Sequence, residues 1–224
     1  MRLGRSWVSF FCGIVGLAAI VAYPFPKALK GVAQAAVPAA PTILVYGDSL
    51  SAAYGLSREQ GWPWLLQQRL SQQGSPIRVE NRSLSGETTH GGLQRFERVL
   101  TQTRPRWVVL QLGANDGLRG LSLQQAEQNL REMIRLSRSA GAQVVLVGIT
   151  MPPNFGAAFT ARFDQVYRRL QQQEKIPLVP LLIDGFAEDL SFFQADQIHP
   201  NAQAQPIMLE NVWKVLGPLL PLRS

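Results

Sequence analysis

From Thr42 onward the chain alternates between two hydrophobic rhythms, and few folds accommodate that alternation. Short apolar runs, TILVYG (42–47), IRVENRS (77–83), WVVLQLG (107–113), QVVLVGI (143–149) and IPLVPLL (176–182), are separated by longer stretches with helical spacing. Most of the runs are apolar throughout, which is the pattern of parallel strands buried on both faces. The helical stretches are 61–74, 92–103, 122–141 and 158–174, and a last one over 201–217 carries Pro206 near its first turn. The third is the clearest: Ser122 is placed to cap it, Leu130, Met133 and Ile134 form a stripe, and Gly141 stands where a helix ends. Trp62 and Trp64 on the first stretch are assigned to core packing. The alternation predicts a three-layer α/β domain, a doubly wound parallel sheet of about five strands with helices on both faces. In such sheets ligands bind beyond the carboxyl ends of the strands, where the strand order reverses.

Composition narrows the chemistry. The chain has 224 residues, 46% hydrophobic and 17% charged, enough for one domain with a substantial core. Its one cysteine, Cys12, lies in the N-terminal apolar run, so the rest of the chain has neither an internal disulfide nor a cysteine nucleophile. The net charge of +7 suggests an acidic partner, but Arg2, Arg5, Lys27 and Lys30 precede every acid; without them 18 bases face 15 acids. No basic run with interleaved aromatics remains, which argues against nucleic acid as a partner.

Residues 1–35 have a basic start, an uncharged apolar stretch from Trp7 to Tyr23 and the small-residue series Ala33, Gln34, Ala35. That pattern reads as an export signal. The small residues lie well beyond the apolar run, behind Pro24, Pro26, Lys27 and Lys30, so an uncleaved membrane anchor is the alternative reading. Either way residues 36–224 are expected outside the cytoplasm, periplasmic or secreted, or tethered to the inner membrane by the N-terminal segment.

The strand ends carry the reactive side chains. GDSLS places Ser49 just past the first run; taken alone, Gly47, Asp48 and Ser49 suit a helix cap first of all, and such a turn can also hold a phosphate. The other loops change that balance. LGANDGLRG ends the third run with Asn115, SLSGETT follows the second with Gly86, and ADQIHPN near the C-terminus sets Asp196 three residues before His199. A serine nucleophile needs a base and a group that orients the base, and Asp196 can fold back onto His199 within a tight loop. His90, the other histidine, has no acid at a useful spacing. Ser51 is a near neighbour, and the motif favours Ser49. The N–H groups of Ser49 and Gly86 and the Asn115 amide are candidate oxyanion donors. Leu118, Leu121, Phe155 and Phe159, in loops on the same rim, are candidate acyl contacts.

This set resembles the GDSL or SGNH hydrolase superfamily, and most of all its bacterial thioesterase I, lysophospholipase and arylesterase branch. Ser49, Gly86, Asn115 and His199 match the four name-giving residues in order, with Asp196 in the D-x-x-H element. GDSLSAAYG, SGETT, LGANDGLRG, MPPNFG and IHPN extend the likeness over about residues 42–220. The resemblance implies a flavodoxin-like sheet, no metal and no cofactor. It implies hydrolysis of carboxylic esters and acyl thioesters of small or single-chain lipids, lysophospholipids included, through Ser49, Asp196 and His199. A deacetylase of cell-envelope carbohydrates on the same scaffold, or a non-catalytic envelope-binding module, is the alternative.

Overall fold

The computed structural model describes residues 40–222. The expected export segment, with Cys12, lies outside them. Five strands form one parallel sheet in the order β2-β1-β3-β4-β5. They are β1 (Thr42–Gly47), β2 (Arg78–Asn81), β3 (Trp107–Gln111), β4 (Gln143–Val147) and β5 (Leu178–Val179). In register, Ile43 of β1 faces Trp107 of β3, Trp107 faces Gln143, and Leu146 faces Leu178. The order reverses beside β1: the chain first steps from β1 to β2, then crosses back to β3 and continues outward. This is the doubly wound, flavodoxin-like arrangement, with its crevice at the carboxyl ends of β1 and β3.

Six α-helices cover the sheet. Helices α1 (Trp62–Gln72) and α6 (Gln205–Leu216) pack together on one face. On the other, α4 (Leu123–Ser139) sits between α2 (Thr89–Thr103) and α5 (Ala157–Glu174), while α3 (Ala114–Leu118) is a short turn after β3. The central strands explain the apolar runs: every residue of β1 and β3 is buried. At the edge, β2 is partly exposed, which accounts for its mixed sequence RVEN.

Local chemistry sets the helix ends. Ser122 is the N-cap of α4 and its side chain accepts from the Gln125 N–H at 3.2 Å. Ala140 takes the C-cap, with Gly141 one residue beyond in the left-handed region at φ 81°. Thr88 caps α2 by accepting from Gly91 N–H at 3.1 Å, so the helix starts three residues earlier than its apolar pattern. One expectation is corrected. Trp62 is fully buried and Trp64 is not; Trp64 carries the Arg58 guanidinium 5.5 Å above its ring. Positions two apart on a helix point in different directions, so the core holds only one of the pair.

Candidate active site

β1 ends in Gly47, and the chain turns sharply there. A side chain at Gly47 would lie 2.6 Å from the Gln111 amide oxygen and 2.9 Å from Ser51 Oγ, so β1 and β3 close up at this point only with glycine. Beyond the turn, Asp48 points into the interior and Ser49 into a cleft. Asp48 is fully buried, and its Oδ1 accepts from Leu50 N–H at 3.1 Å and from Gln111 Nε2 at 3.0 Å. Its Oδ2 has no hydrogen-bond partner among the described residues. Burial pushes the carboxyl up to about 6, against the opposing pull of the Leu50 N–H, the Gln111 amide and the charge of His199. Ser51 is also buried and donates to Gln111 Oε1 at 2.7 Å, so of the two serines in this turn only Ser49 lines the cleft.

The loop before α6 brings in the imidazole. His199 Nε2 lies 3.0 Å from Ser49 Oγ, and His199 Nδ1 lies 2.7 Å from Asp196 Oδ2. Asp196 Oδ1 accepts the backbone N–H groups of Ile198 and His199 at 2.9 and 3.0 Å, so one carboxylate both folds the loop and holds the ring. Burial works to raise the Asp196 carboxyl, but the hydrogen bonds from His199 and Ile198 outweigh it and bring it down to about 2. Tyr54 covers the imidazole at a centroid distance of 4.3 Å. Gln194 ties the two loops, donating to the carbonyls of Tyr54 at 2.7 Å and Pro200 at 3.1 Å.

Gly86 and Asn115 line the same cleft as Ser49 and His199. Gly86 holds φ 77°, a left-handed conformation that favours glycine. Neither its N–H nor that of Ser49 donates to a protein acceptor among the described residues. Asn115 Nδ2 gives one hydrogen to the Glu87 carbonyl at 3.0 Å and keeps a second. The arrangement can therefore pass a proton from hydroxyl to imidazole and offer N–H groups to a developing anion. His90 is exposed on the first turn of α2 and does not line the cleft.

The cleft encloses about 770 Å³ and is mostly apolar. Leu118 lines it, together with Ile149, Met151, Ile183, Leu190 and Phe193. Leu121, Phe155 and Phe159 do not: Leu121 is exposed, and the two phenylalanines pack on each other at 5.9 Å and against the core. The wall from the β5–α6 connection, Ile183 to Ile198, was missed in the sequence. Its signal is a group of apolar residues in a segment with too little periodicity for a helix, and a folded core explains such residues equally well.

A parallel sheet wound this way, with a hydroxyl just beyond β1 in line with an imidazole and a carboxylate from the loop before α6, fits the class of α/β hydrolytic enzymes. The chain belongs to the GDSL-like Lipase/Acylhydrolase family, which it matches over residues 45–206. It is 49% identical over 182 residues to "Esterase TesA" of Pseudomonas aeruginosa, covering 81% of this chain and 90% of that protein. Over the same length it is 40% identical to "Thioesterase 1/protease 1/lysophospholipase L1" of Escherichia coli, covering 81% and 86%. Among solved structures, the psychrotrophic esterase EstA from Pseudoalteromonas sp., inhibited by monoethylphosphonate, superposes with a TM-score of 0.76 at 36% identity, covering 80% of this chain and 97% of that one.

Proposed function

We propose that the protein is an exported serine hydrolase that cleaves carboxylic esters and acyl thioesters of small or single-chain lipids through an acyl-enzyme. One observation carries the mechanism: the unbroken line from Asp196 Oδ2 through His199 to Ser49 Oγ, with links of 2.7 and 3.0 Å. Ser49 Oγ attacks the substrate carbonyl while His199 Nε2 takes its proton. Asp196 holds the ring in the tautomer that leaves Nε2 free and stabilises the imidazolium. The carbonyl oxygen, now an anion, accepts from the N–H groups of Ser49 and Gly86 and from the second hydrogen of Asn115 Nδ2. The tetrahedral species collapses as His199 protonates the departing alcohol or thiol. Water, deprotonated by the same imidazole, then attacks the acyl-serine and releases the acid.

The names of the relatives support ester and thioester bonds as the target, and the inhibition of EstA by a phosphonate fits an attacking serine. The cleft supports the acyl part. Its lining is mostly apolar, and Tyr54, Leu190 and Ile198, three of the large apolar side chains exposed at the surface, stand on it. A carbohydrate site would present polar groups there, so acetylated glycans are the weaker reading. Export rests on the basic, apolar and small-residue sequence of residues 1–35; among the described residues no helix is long and apolar enough to cross a membrane.

The test is an activity panel of p-nitrophenyl esters of increasing length, an acyl thioester, a lysophospholipid and an acetylated glycan. Ser49→Ala and His199→Ala are each expected to lose roughly 10³-fold or more in kcat/KM on the esters and thioester, and His90→Ala to change little. Equal losses from the two histidine variants, both folded, refute the assignment of the base. A dominant rate on the glycan refutes the lipid substrate.

A further inference from the structure

The two chain segments that carry Gly86 and Asn115 are laced together by three contacts. At the surface the Arg119 guanidinium donates to the Gly86 carbonyl at 2.8 Å. At the cleft wall Asn115 Nδ2 donates to the Glu87 carbonyl at 3.0 Å. In the interior, Asp116 of α3 accepts both groups that Thr89 offers: the backbone N–H to Oδ2 at 2.8 Å and the hydroxyl to Oδ1 at 2.6 Å. Thr89 is 0% exposed and Asp116 3%. The Thr89 oxygen accepts in turn from Asn129 Nδ2 on α4 at 3.0 Å, and Asn129 Oδ1 accepts from Gln125 Nε2 at 3.0 Å.

None of Thr89, Asp116, Asn129 and Gln125 lines the cleft, so none meets a substrate. Capping explains only part of the chain: Thr88 takes the Gly91 N–H and Asp116 the Thr89 N–H, but the bonds from the Thr89 hydroxyl to Asp116 and from Asn129 to Thr89 satisfy no helix end. A carboxylate out of reach of water is costly unless its acceptor sites are used, and a fully paired polar network rigidifies what it joins. What this one joins is the stretch just after Gly86 to the stretch just after Asn115. Two oxyanion donors on separate loops stabilise a transition state only at a fixed spacing, and a small misplacement lowers turnover more than ground-state binding.

We propose that Thr89 and Asp116, backed by Asn129, are positioning residues that hold the Gly86 N–H and the Asn115 amide at the spacing a single oxyanion needs. This rests on the roles given above to Ser49, Gly86 and Asn115. Thr89→Val removes the hydroxyl at nearly constant volume, and Thr89→Ser keeps it. With p-nitrophenyl acetate, too small to report on the acyl wall, Thr89→Val is expected to lose about tenfold or more in kcat while KM stays within about twofold. Thr89→Ser is expected to stay close to the wild type. Affinity for an aryl trifluoromethyl ketone, which adds to the serine to give an oxyanion, is expected to fall in step with kcat.

A merely structural role would lower the melting temperature and leave the kcat and ketone affinity of the folded fraction unchanged. Ile134→Ala, a buried change on α4 away from the cleft, is the control for destabilisation alone. Wild-type kcat in folded Thr89→Val, loss not restored in Thr89→Ser, or an equal kcat loss in Ile134→Ala overturns the proposal. Should Thr89→Val not fold, Asn129→Ala is read for the same kcat, KM and ketone affinity, with wild-type values again overturning it. Ser49→Ala separates the two levels. Activity surviving in that variant breaks the serine reading itself, whereas an inactive Ser49→Ala beside an unimpaired Thr89→Val breaks only this inference.

Discussion

Asp48 and Ser49 are neighbours in the chain and face opposite environments. Asp48 lies in the interior with one oxygen unpartnered among the described residues, whereas Asp196 keeps both oxygens engaged at the surface of its loop. Their effects on stability have opposite signs. The Asp48 carboxyl is raised to about 6 by burial, so the folded protein binds a proton that the unfolded chain has already released. Stability therefore falls as pH rises from about 4 to about 6, by on the order of 3 kcal/mol at most. In urea titrations at several pH values, the stability of the wild type minus that of Asp48→Asn is expected to decline over this window; a flat difference would refute the burial argument. Asp196, brought down to about 2, contributes stability that is complete above the ordinary carboxylate range and is lost as pH falls toward 2. Asp196→Asn is expected to remove that acid-side loss in the same titrations. At this scale the sequence was informative only where several loops were read together, since each residue type alone has other uses; Ser49, His199 and Asp196 stand within hydrogen-bonding reach of one another. The Tyr54 ring over His199 was not legible, because no local pattern tells a tyrosine which distant loop it will meet.

The elements themselves were readable in proportion to how much of their stability is local. β1 runs over Thr42–Gly47, the span of its apolar run, and α4 begins where Ser122 offers a cap. Removing that cap is expected to cost about 1 kcal/mol, a fall of a few degrees in melting temperature, without changing turnover, since Ser122 is exposed and away from the cleft. Thermal unfolding of Ser122→Ala checks it. The run at 176–182 shrinks to Leu178–Val179 because prolines flank the pair: Pro177 and Pro180 have no N–H to give to a ladder. The stretch 201–217 shortens to Gln205–Leu216 because Asn201 Oδ1 accepts from the Gln203 and Ala204 N–H groups and bends the chain before the helix starts. Helix α3 was missed because one turn of five residues is too short for any periodicity to register. Between α4 and α5, Glu127 meets Arg131 and Arg169, and Glu174 meets Arg131 and Arg138. Burial works to raise the Glu127 carboxyl, and the two guanidinium groups more than offset it, holding it below the usual range. The Glu127–Arg131 pair has the i,i+4 spacing of a single helix, whereas the pairs that join α4 to α5 were invisible beforehand, since they depend on how two helices lie against each other.

For the whole molecule, the alternation of runs was enough to give the architecture, because a right-handed crossover rule leaves few ways to wind strands and helices in that sequence. Strand order was the part that needed the structure. It places β1 and β3 side by side, and with them Ser49 and Asn115. Every proposed site residue lies within residues 40–222, together with the core that the described residues form. We therefore expect a chain beginning at residue 36 to fold cooperatively and to match the full-length turnover on p-nitrophenyl esters; an insoluble or inactive product would refute the proposed boundary. Because all five strands run the same way, the molecule has a working end and an idle end. The turns entering the strands, at Gly74, Gly141 and Lys175, are exposed and sit at the end of the sheet opposite Ser49. A dye, a bead or a fused partner attached at any of them should leave the rate alone, so the hydrolase can be fastened to a surface by its back and still turn over what arrives at its front.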